Sequence, residues 1–443
     1  MKRSELLSDV IDRLGRRRLV WAGIRGEDVE SLGDLPQLFA SYSIIGAYNR
    51  RSTVDGLALE NLMGRRVDLE VWDIDEHRHE PYAVEFRRAI LRALNEPSAL
   101  LPYRPSRFLS AIWFARRDRC LHLGLFGAHQ FAFEHKPWVE TSIQSLGVPG
   151  IPWIYVADEE QLRTDDLLAK GPAILRLSRT SGGQGIVRVD SQEELHRLWP
   201  RSEESFVSVA PFLSNTLPIN VGGTVWNDGV TVHYPSIQLI GISECVTRPF
   251  GYCGNDFGRA KQLDREVVNA IESQTKVIGT WLRSMGYLGT FGVDYLLDES
   301  GVLRFTEVNP RFQGSTVASS RLAVECDQPC LLLEHIAAHL SMSAPSSLPL
   351  WERLRETPPL SQAIVHWTGT QPVHVNTMVL RQMALALDGT LDVETSDDLY
   401  TEPGAVVARL TFRKNITNSG FDLASEIAQP LSEWVNAVST TAQ

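Results

Sequence analysis

Residues 289–311 constrain the fold of this chain most, because their pattern predicts one strongly polarised β-hairpin. The segment reads GTFGVDYLLDESGVLRFTEVNPR, with an apolar run on either side of a turn at residues 298–301. With the turn centred within that tetrapeptide, Asp294 lies opposite Phe305, and Glu307 is its diagonal neighbour on the same face. Two carboxylates are therefore expected side by side on adjacent strands.

Asn309 and Arg311 extend this polar face, since residues that alternate by two along a strand share one face. Asp294, Glu307 and Asn309 together offer the hard oxygen ligands that Mg²⁺ prefers, with nucleotide phosphates and water completing its coordination. Arg311 would neutralise charge that develops on a transferred phosphoryl group. A solvated polar surface is the alternative, against which the apolar neighbours of these residues and Pro310 at the strand end both argue.

A second feature is a pair of short strands joined by a glycine-rich loop. Strands are expected at 173–178 and 186–189, and the loop between them contains Gly182, Gly183 and Gly185. Successive backbone N–H groups in such a loop can bind phosphate oxygens, and Arg176 would reach the same phosphates from the first strand. A flexible surface turn is the alternative for this loop.

Length and charge narrow the class of protein. A chain of 443 residues is expected to form about two to four domains. Its 54 acidic residues outnumber the 43 lysines and arginines, and the net charge of −11 disfavours a nucleic-acid-binding protein. The N-terminus lacks the apolar core of a signal peptide, no apolar run is long enough for a membrane span, and the five cysteines form no CxxC pair. These features predict a soluble cytoplasmic protein that binds neither nucleic acid nor membrane.

Four domains are expected along the chain, which places it in a multidomain α/β and α+β class. They are an α/β domain over 1–120, a first lobe with the glycine-rich loop over 121–208, a second lobe with the hairpin over 209–345, and a strand-rich α+β domain over 362–443. The Ser- and Pro-rich stretch 341–361 is the predicted linker. In the last domain, strands are expected at 363–367, 373–380 and 405–413.

Two further segments carry weaker signals. Residues 241–258 are predicted to form a long loop with four glycines, and we hypothesise that Arg248 within it contacts the substrate; a plain connecting loop is the alternative. His335 and His339 lie four residues apart on a predicted helix. They lack the order of a metalloprotease motif and are interpreted as part of a partly exposed helix face.

In this order, the motifs resemble those of the ATP-grasp ligase superfamily. Lys136, ahead of a predicted helix, matches the first lysine of that family, and Pro172–Ser178 matches its second strand. The glycine-rich loop matches the mobile flap, and Asp294 followed by Glu-Val-Asn-Pro-Arg at 307–311 matches the end of the family's second half. The resemblance implies an ATP-grasp fold over roughly residues 120–340, with ATP between two lobes and Mg²⁺ as a cofactor.

The resemblance also implies roles for these residues. Lys136 and Arg176 would hold the α- and β-phosphates, and the three loop glycines would cover the triphosphate. Asp294, Glu307 and Asn309 would carry magnesium, and Arg311 would act as the catalytic residue that stabilises the transferring phosphoryl group or the tetrahedral adduct. The remaining residues assigned to ATP binding are Ser178, Val209, Ala210, Phe212 and Asn220.

Two positions depart from the family pattern. Arg176 stands where the family has its second lysine; arginine keeps the charge but is not equivalent to lysine. The strand expected to cross the adenine, over 206–213, lacks the usual acidic hinge residue, and Leu217–Asn220 replaces the usual ribose-binding glutamate. These differences leave nucleotide affinity and base preference open.

Within the superfamily, the layout is most similar to the pheganomycin-type peptide ligase, on the basis of the AGIRGED segment at 22–28, Arg176 and the C-terminal domain. This implies an ADP-forming enzyme that activates the carboxylate of an unusual N-terminal amino-acid derivative as an acylphosphate and couples it to a peptide amine in natural-product biosynthesis. Small carboxylates, amines or peptides are the expected partners, and a homodimer is compatible with the sequence. The alternatives are an ATP-dependent carboxylase, a small amino-acid ligase on the same fold, and a nucleotide-binding regulator without turnover.

Overall fold

A parallel sheet forms the start of the chain. The computed structural model describes residues 1–125, 132–157, 167–179, 182–200, 205–392 and 398–441. The elements of the first range are α1 (Arg3–Leu14), β1 (Arg18–Arg25), a 3₁₀ helix (Gly26–Leu32), β2 (Leu38–Ile45), β3 (Asp55–Ala58), α2 (Leu59–Met63), β4 (Arg65–Arg66), α3 (Pro81–Ala93), β5 (Ser98–Pro102), α4 (Arg107–Phe114) and β6 (Cys120–His122). The strand order is β3-β2-β1-β5-β6, with every pair parallel.

The sequence explains why β1 and β2 lie at the middle of this sheet. Both are nearly continuous apolar runs that are buried over most of their length, as strands covered by helices on both faces must be. The last strand of the sheet is β6, so the expected domain boundary after residue 120 falls within a strand.

A small antiparallel sheet follows. Its region contains α5 (Lys136–Ser145), β7 (Ile154–Val156), β8 (Ala173–Arg176), β9 (Ile186–Val189), α6 (Gln192–Leu198) and β10 (Val207–Pro211). The order is β7-β10-β8-β9, and the strands β8 and β9 confirm the predicted strand–loop–strand unit. This sheet has a core of its own, and the expected boundary at residue 208 lies inside β10.

The largest sheet is antiparallel and has eight strands. Its first part contains β11 (Leu217–Val225), β12 (Val230–Ile240), β13 (Tyr252–Asp256), α7 (Phe257–Ala260), α8 (Arg265–Ser284), β14 (Gly289–Leu297), β15 (Leu303–Asn309), α9 (Thr316–Glu325), α10 (Leu331–His339) and α11 (Leu350–Glu356). Helix α8 packs on β11 and β12 through residues spaced by three or four, which are Val268, Ile271, Thr275, Ile278 and Leu282.

The C-terminal segment continues this sheet. It contains β16 (Ser361–His366), β17 (Val373–His374), α12 (Met378–Ala386), β18 (Gly389–Asp392), β19 (Tyr400–Thr401), β20 (Val406–Phe412) and α13 (Ser425–Thr441). The full order is β15-β14-β11-β12-β13-β16-β20-β18, while β17, β19 and β4 form a separate short sheet that joins the two ends of the chain. The C-terminal segment is therefore attached to both the large sheet and the N-terminal region.

Three local predictions were wrong. The loop expected over 241–258 already contains β13 and α7, and Gly254 serves strand pairing, since a Cβ there would lie 2.0 Å from the Gln362 carbonyl oxygen. The strand expected over 373–380 ends at His374, because the buried residues that follow have helical spacing in α12. The linker expected over 341–361 contains α11, whose apolar face is buried.

Candidate active site

One cavity of about 1470 Å³ lies between the four-stranded sheet, the large sheet and the carboxyl ends of the N-terminal parallel strands. Most residues predicted for the site line it, although the sequence places them on separate lobes. They are Lys136, Arg176, Gly182, Gly183, Gly185, Ala210, Phe212, Asn220, Asp294, Glu307, Asn309 and Arg311.

Asp294 and Glu307 face each other directly across β14 and β15. The predicted register, with Asp294 opposite Phe305, was wrong because the pairing contains a β-bulge. Phe305 pairs with Tyr295, and the irregularity lies between this pair and the carboxylate pair. The bulge makes the two carboxylates direct cross-strand neighbours, which lie closer than the diagonal neighbours the sequence predicted.

The Asp294 carboxylate is held by three side-chain amides. Its Oδ1 accepts hydrogen bonds from Asn220 Nδ2 at 2.7 Å and from Gln238 Nε2 at 3.1 Å, and its Oδ2 accepts one from Asn309 Nδ2 at 3.0 Å. Burial, together with the neighbouring Glu307 carboxylate, raises the pKa of Asp294 to about 7. The two carboxylates thus repel each other at a site that a cation would stabilise.

Lys136 is the first residue of helix α5 and points from that helix to the large sheet. The His135 imidazole caps the helix by accepting from the Trp138 amide at 3.2 Å, and the Lys136 amide donates to the Ser178 carbonyl at 3.0 Å. The Lys136 ammonium donates to Glu307 Oε2 at 2.7 Å. This ion pair connects the two lobes across the cavity.

Arg176, at the end of β8, is buried against a matched set of partners. Its guanidinium pairs with Glu140 on α5 at 2.7 Å and lies over the Trp153 ring, 4.0 Å from the centroid. Burial raises the pKa of Glu140, and the charge of Arg176 opposes this shift. A cation at this place is therefore built into the fold.

The glycine-rich loop closes one side of the cavity. Gly182 and Gly183 have positive φ angles of 54° and 78°. A Cβ at Gly183 would lie 2.1 Å from the Phe250 carbonyl oxygen, and one at Gly182 would lie 2.2 Å from the Glu70 carboxyl carbon. Only glycine permits this approach, which seats the loop against two other segments of the cavity wall.

The donor set of the hairpin fits magnesium. Asp294, Glu307 and Asn309 supply carboxylate and amide oxygens on one face of the cavity. Within the described ranges, no group of three or more His, Cys, Asp or Glu side chains forms a metal site by itself. An ion held here would depend on nucleotide phosphates for its remaining ligands, as magnesium in nucleotide sites does.

Three of the predicted residues do not line the cavity in the described part of the chain. Ser178 and Val209 are buried, Ser178 behind Lys136 and Val209 in the core of the four-stranded sheet. Arg248 pairs with Asp68 at 2.6 Å, and it is Asp68 that lines the cavity. The role of Arg248 in substrate binding stays a prediction.

The sequence analysis missed the partners that hold the site together, namely Gln238, Glu140, Trp153 and Gln313. Gln313 accepts from Asn220 Nδ2 at 3.0 Å, so it orients the amide that binds Asp294. Of this network, the sequence analysis had assigned Asn220 to the site. The structure places Asn220 directly opposite Asp294, because β11 pairs with β14. The others come from strands and helices whose neighbours the sequence does not define.

Solved structures decide the fold. N5-carboxyaminoimidazole ribonucleotide synthetase in complex with ADP superposes with a TM-score of 0.58 at 10% identity, over 97% of this chain and 98% of the other. The corresponding synthase of Aspergillus clavatus, with ADP and 5-aminoimidazole ribonucleotide, gives a TM-score of 0.59 at 12% identity over 95% and 99%. The chain has the ATP-grasp fold.

A third structure supports the same fold. The biotin carboxylase domain dimer of Hydrogenobacter thermophilus 2-oxoglutarate carboxylase, with MgADP, ADP and bicarbonate, gives a TM-score of 0.59 at 14% identity, over 90% of this chain and 86% of the other. No protein-family model and no curated protein matches this chain. The predicted ATP-grasp fold is thus confirmed by structural similarity.

No helix in the described ranges combines the length and the apolar character that crossing a membrane needs.

Proposed function

We propose that this protein is an ATP-dependent, ADP-forming carboxylate–amine ligase. One observation carries the proposal: a single cavity brings two carboxylates and an amide on one lobe together with Lys136, Arg176 and a glycine-rich loop on the other. This combination is suited to phosphoryl transfer, in which positioning and charge neutralisation do most of the work. The ATP-grasp fold of the chain supports the same class.

In this proposal, each part of the cavity binds one part of Mg·ATP. Asp294, Glu307 and Asn309 hold the magnesium ion, which neutralises phosphate charge when bound. Lys136 and Arg176 contact the α- and β-phosphates, and the backbone N–H groups of the glycine-rich loop cover the triphosphate. Adenine lies against Ala210 and Phe212, where apolar side chains line the cavity.

The reaction then needs no side-chain nucleophile. An oxygen of the substrate carboxylate attacks the γ-phosphorus, the bond to the bridging oxygen breaks, and ADP leaves. The amine attacks the carbonyl carbon of the acylphosphate, loses a proton, and inorganic phosphate leaves with the former carboxylate oxygen. Arg311 stabilises the negative charge of the transferring group, and the closed loop excludes water from the acylphosphate.

For the substrates, we propose an amino-acid derivative as the acid and a peptide as the amine, as in the biosynthesis of a peptide natural product. The cavity is compatible with substrates of this size, because its volume of about 1470 Å³ extends beyond the proposed nucleotide site to the carboxyl ends of the N-terminal parallel strands. The five cysteines are free thiols, which supports a reducing cytoplasm as the location. A homodimer stays a prediction.

A carboxylase is the second candidate. The structural similarity to a biotin carboxylase domain with bound bicarbonate favours it, since bicarbonate is itself a small carboxylate that an ATP-grasp site can phosphorylate. The two candidates differ in the acid that consumes ATP.

A product analysis tests both. Purified protein is incubated with Mg·ATP and pairs of acids and amines, with and without bicarbonate, and ADP, AMP and new amide masses are measured. ADP that requires an organic acid and an amine supports the ligase, and ADP that requires bicarbonate supports the carboxylase. AMP with pyrophosphate would overturn both, and tight binding of Mg·ATP without product would favour a regulator.

A further inference from the structure

A second polar cluster lies at the N-terminal end of the same cavity. Arg25 is the last residue of β1, the strand at which the sheet order reverses, with β2 on one side and β5 on the other. Ligands of parallel sheets bind at the carboxyl ends of the strands beside such a reversal. Ile44 from β2 and Tyr103 after β5 line the cavity beside Arg25. The topology therefore places Arg25 where a ligand is expected.

The pairing of the Arg25 guanidinium sets this residue apart within the described part of the cavity wall. In the described parts of the chain, no hydrogen bond or ion pair joins it to another residue, and its Nε is buried without an acceptor. Two other arginines of the cavity wall have ion-pair partners, Arg104 with Asp73 at 2.5 Å and Arg176 with Glu140 at 2.7 Å. Their Nε atoms, like that of Arg25, have no hydrogen-bond partner among the described residues, so the missing ion pair is what distinguishes Arg25. Burial and the nearby Arg409 lower the pKa of Arg25. The charged form of Arg25 therefore lacks full compensation from the protein itself.

The charges around Arg25 are only loosely paired. Arg409, which is fully buried, lies 3.4 Å from Asp28 and 3.8 Å from Glu27. Within the described ranges, the Nε of Arg409 and the Oε1 of Glu27 have no hydrogen-bond partner, and burial raises the pKa of Glu27 to about 7. Buried polar groups are normally satisfied, so several orphaned atoms beside a cavity indicate a ligand that completes the set.

The chemistry of the cluster favours a carboxylate. A carboxylate is planar and accepts two parallel N–H bonds from one guanidinium. The cluster contains two arginines and two acids, so it suits a singly charged group better than a phosphate dianion, which would face Asp28 and Glu27 as well. Apolar residues line the cavity around it, namely Ile24, Ile44, Phe312 and Ile364. The bound molecule would thus combine an apolar body with a carboxylate.

The cluster shares the cavity with the metal-binding end. Tyr252 lines the cavity, and its electrostatic environment includes Arg25 and Arg409 as well as Asp294. A substrate that contacts Arg25 can therefore extend past Tyr252 to the carboxylates of the hairpin.

We propose that Arg25 binds the carboxylate of the amine substrate, which does not react, and so selects apolar amino acids or peptides over phosphorylated compounds. This inference rests on the proposed function, since it names the substrate class of the same cavity. Arg25 acts by binding and takes no part in bond making. Asp28, beside it on the wall, would accept an N–H of the same molecule.

Calorimetric titration tests the inference without turnover. The probes are phenylacetate and L-phenylglycine, with phenylacetamide as the neutral analogue and phenyl phosphate as the dianion, each with and without Mg·ADP. The proteins are the wild type, Arg25→Gln, Arg25→Lys and a control, Arg18→Gln, at the exposed opposite end of β1. We expect the wild type to prefer the carboxylates over the amide by about 10- to 100-fold, the value of a charge-assisted hydrogen bond.

The variants decide between the outcomes. Arg25→Gln should abolish the preference, Arg25→Lys should keep part of it, Arg18→Gln should keep all of it, and all should bind Mg·ADP like the wild type. Equal binding of amide and carboxylate, tighter binding of phenyl phosphate, an unchanged preference in Arg25→Gln, or no binding of either carboxylate would each overturn the inference. Failure to bind Mg·ADP, or to release ADP with any acid, would instead overturn the proposed function while the carboxylate preference could still be measured.

Discussion

The two ends of the cavity are built in opposite ways. At the central end, Asp294, Glu307 and Lys136 contact one another or nearby amides at 2.7–3.1 Å. At the N-terminal end, Arg25 has no ion-pair partner among the described residues, and Arg409 lies 3.4 Å or more from its acids. At the central end, the side chains of the protein already hold one another in place. This is what a site for a charged cofactor needs when the same cofactor serves every substrate. The N-terminal end is left incomplete, as a site that must recognise one substrate would be.

The largest effect is expected when a charge is removed at the central end. Glu307→Gln keeps the shape of the side chain but removes the partner of Lys136 and one proposed magnesium ligand. We expect the rate of ADP release to fall by about 100- to 1,000-fold, the usual loss for one electrostatic group in an active site. The rate should be measured at several magnesium concentrations, since the variant should require more magnesium.

Glu299→Gln is the matched control, because Glu299 lies on the exposed turn of the same hairpin and its carboxylate accepts a hydrogen bond from Asn215 at 3.0 Å. Its rate should equal that of the wild type. A Glu307→Gln protein with normal turnover would remove the hairpin from the catalytic site.

A smaller effect is expected on the pH dependence of stability, to which each end of the cavity contributes one buried histidine. His335, behind the central end, accepts from the Thr290 amide at 3.0 Å, and His366 lines the N-terminal end. Burial lowers the pKa of both to about 4. Because the unfolded chain binds these protons near pH 6.5, the free energy of unfolding falls as the pH drops from there toward 4, by about 1.4 kcal/mol per pH unit for each histidine.

Denaturant unfolding at a series of pH values measures this slope. His335→Gln and His366→Gln should each reduce the slope by the contribution of one histidine, about 1.4 kcal/mol per pH unit. If only His335→Gln does so, the N-terminal end of the cavity is hydrated and His366 titrates freely. An unchanged slope in both variants would contradict the burial of both residues.

The sequence predicted the central end of the cavity better than the N-terminal end. The hairpin, the glycine-rich loop and helix α5 follow from local periodicity and turn residues, and the structure confirms each of them. Most of the residues assigned to ATP and metal binding line one cavity, because a hairpin and a strand–loop–strand unit fix their side chains locally. The β-bulge escaped prediction because cross-strand register depends on packing that the two strands alone do not define.

The N-terminal end could not be predicted in this way. Arg25 and Asp28 are close in sequence, but Arg409 lies 381 residues beyond Asp28, and it reaches them because β16, β20 and β18 extend the large sheet. The AGIRGED segment was noticed, but nothing in it indicated an unpaired guanidinium. His335 and His339 were interpreted as a partly exposed face, whereas both are packed against other aromatic rings. His335 is buried because helix α10 packs on β11 and β14 on one side and against α1 on the other.

A third prediction concerns the loop that covers the central end. In Gly183→Ala, a methyl group would meet the Phe250 carbonyl oxygen at 2.1 Å, so the loop could not seat. We expect kcat/KM for ATP to fall by roughly 10- to 100-fold, because the displaced loop would no longer bind the triphosphate. Gly301→Ala is the control, since Gly301 also has a positive φ of 79° but no atom within 4 Å of its Cβ position. Equal losses in the two variants would attribute the effect to backbone strain alone.

The smallest effect is expected from Arg176→Lys, which introduces the residue that the family has at this position. The structure gives Arg176 partners that suit a planar guanidinium, since Glu140 binds it at 2.7 Å and Trp153 lies 4.0 Å away. Lysine cannot stack on the indole in the same way, and it binds Glu140 as a point charge. The KM for ATP should therefore rise by about 5-fold, equivalent to ~1 kcal/mol, rather than fall.

Arg18→Lys is the control for this exchange, because Arg18 also covers an aromatic ring, Phe39, at 4.5 Å, but lies outside the cavity. It should leave the KM for ATP unchanged. A lower KM in Arg176→Lys would mean that arginine weakens nucleotide binding here, and the central end would then lack the complementarity that distinguishes it from the end around Arg25. A higher KM would support the role of Glu140 and Trp153 in positioning Arg176, because lysine loses the contacts that these two residues make with the guanidinium.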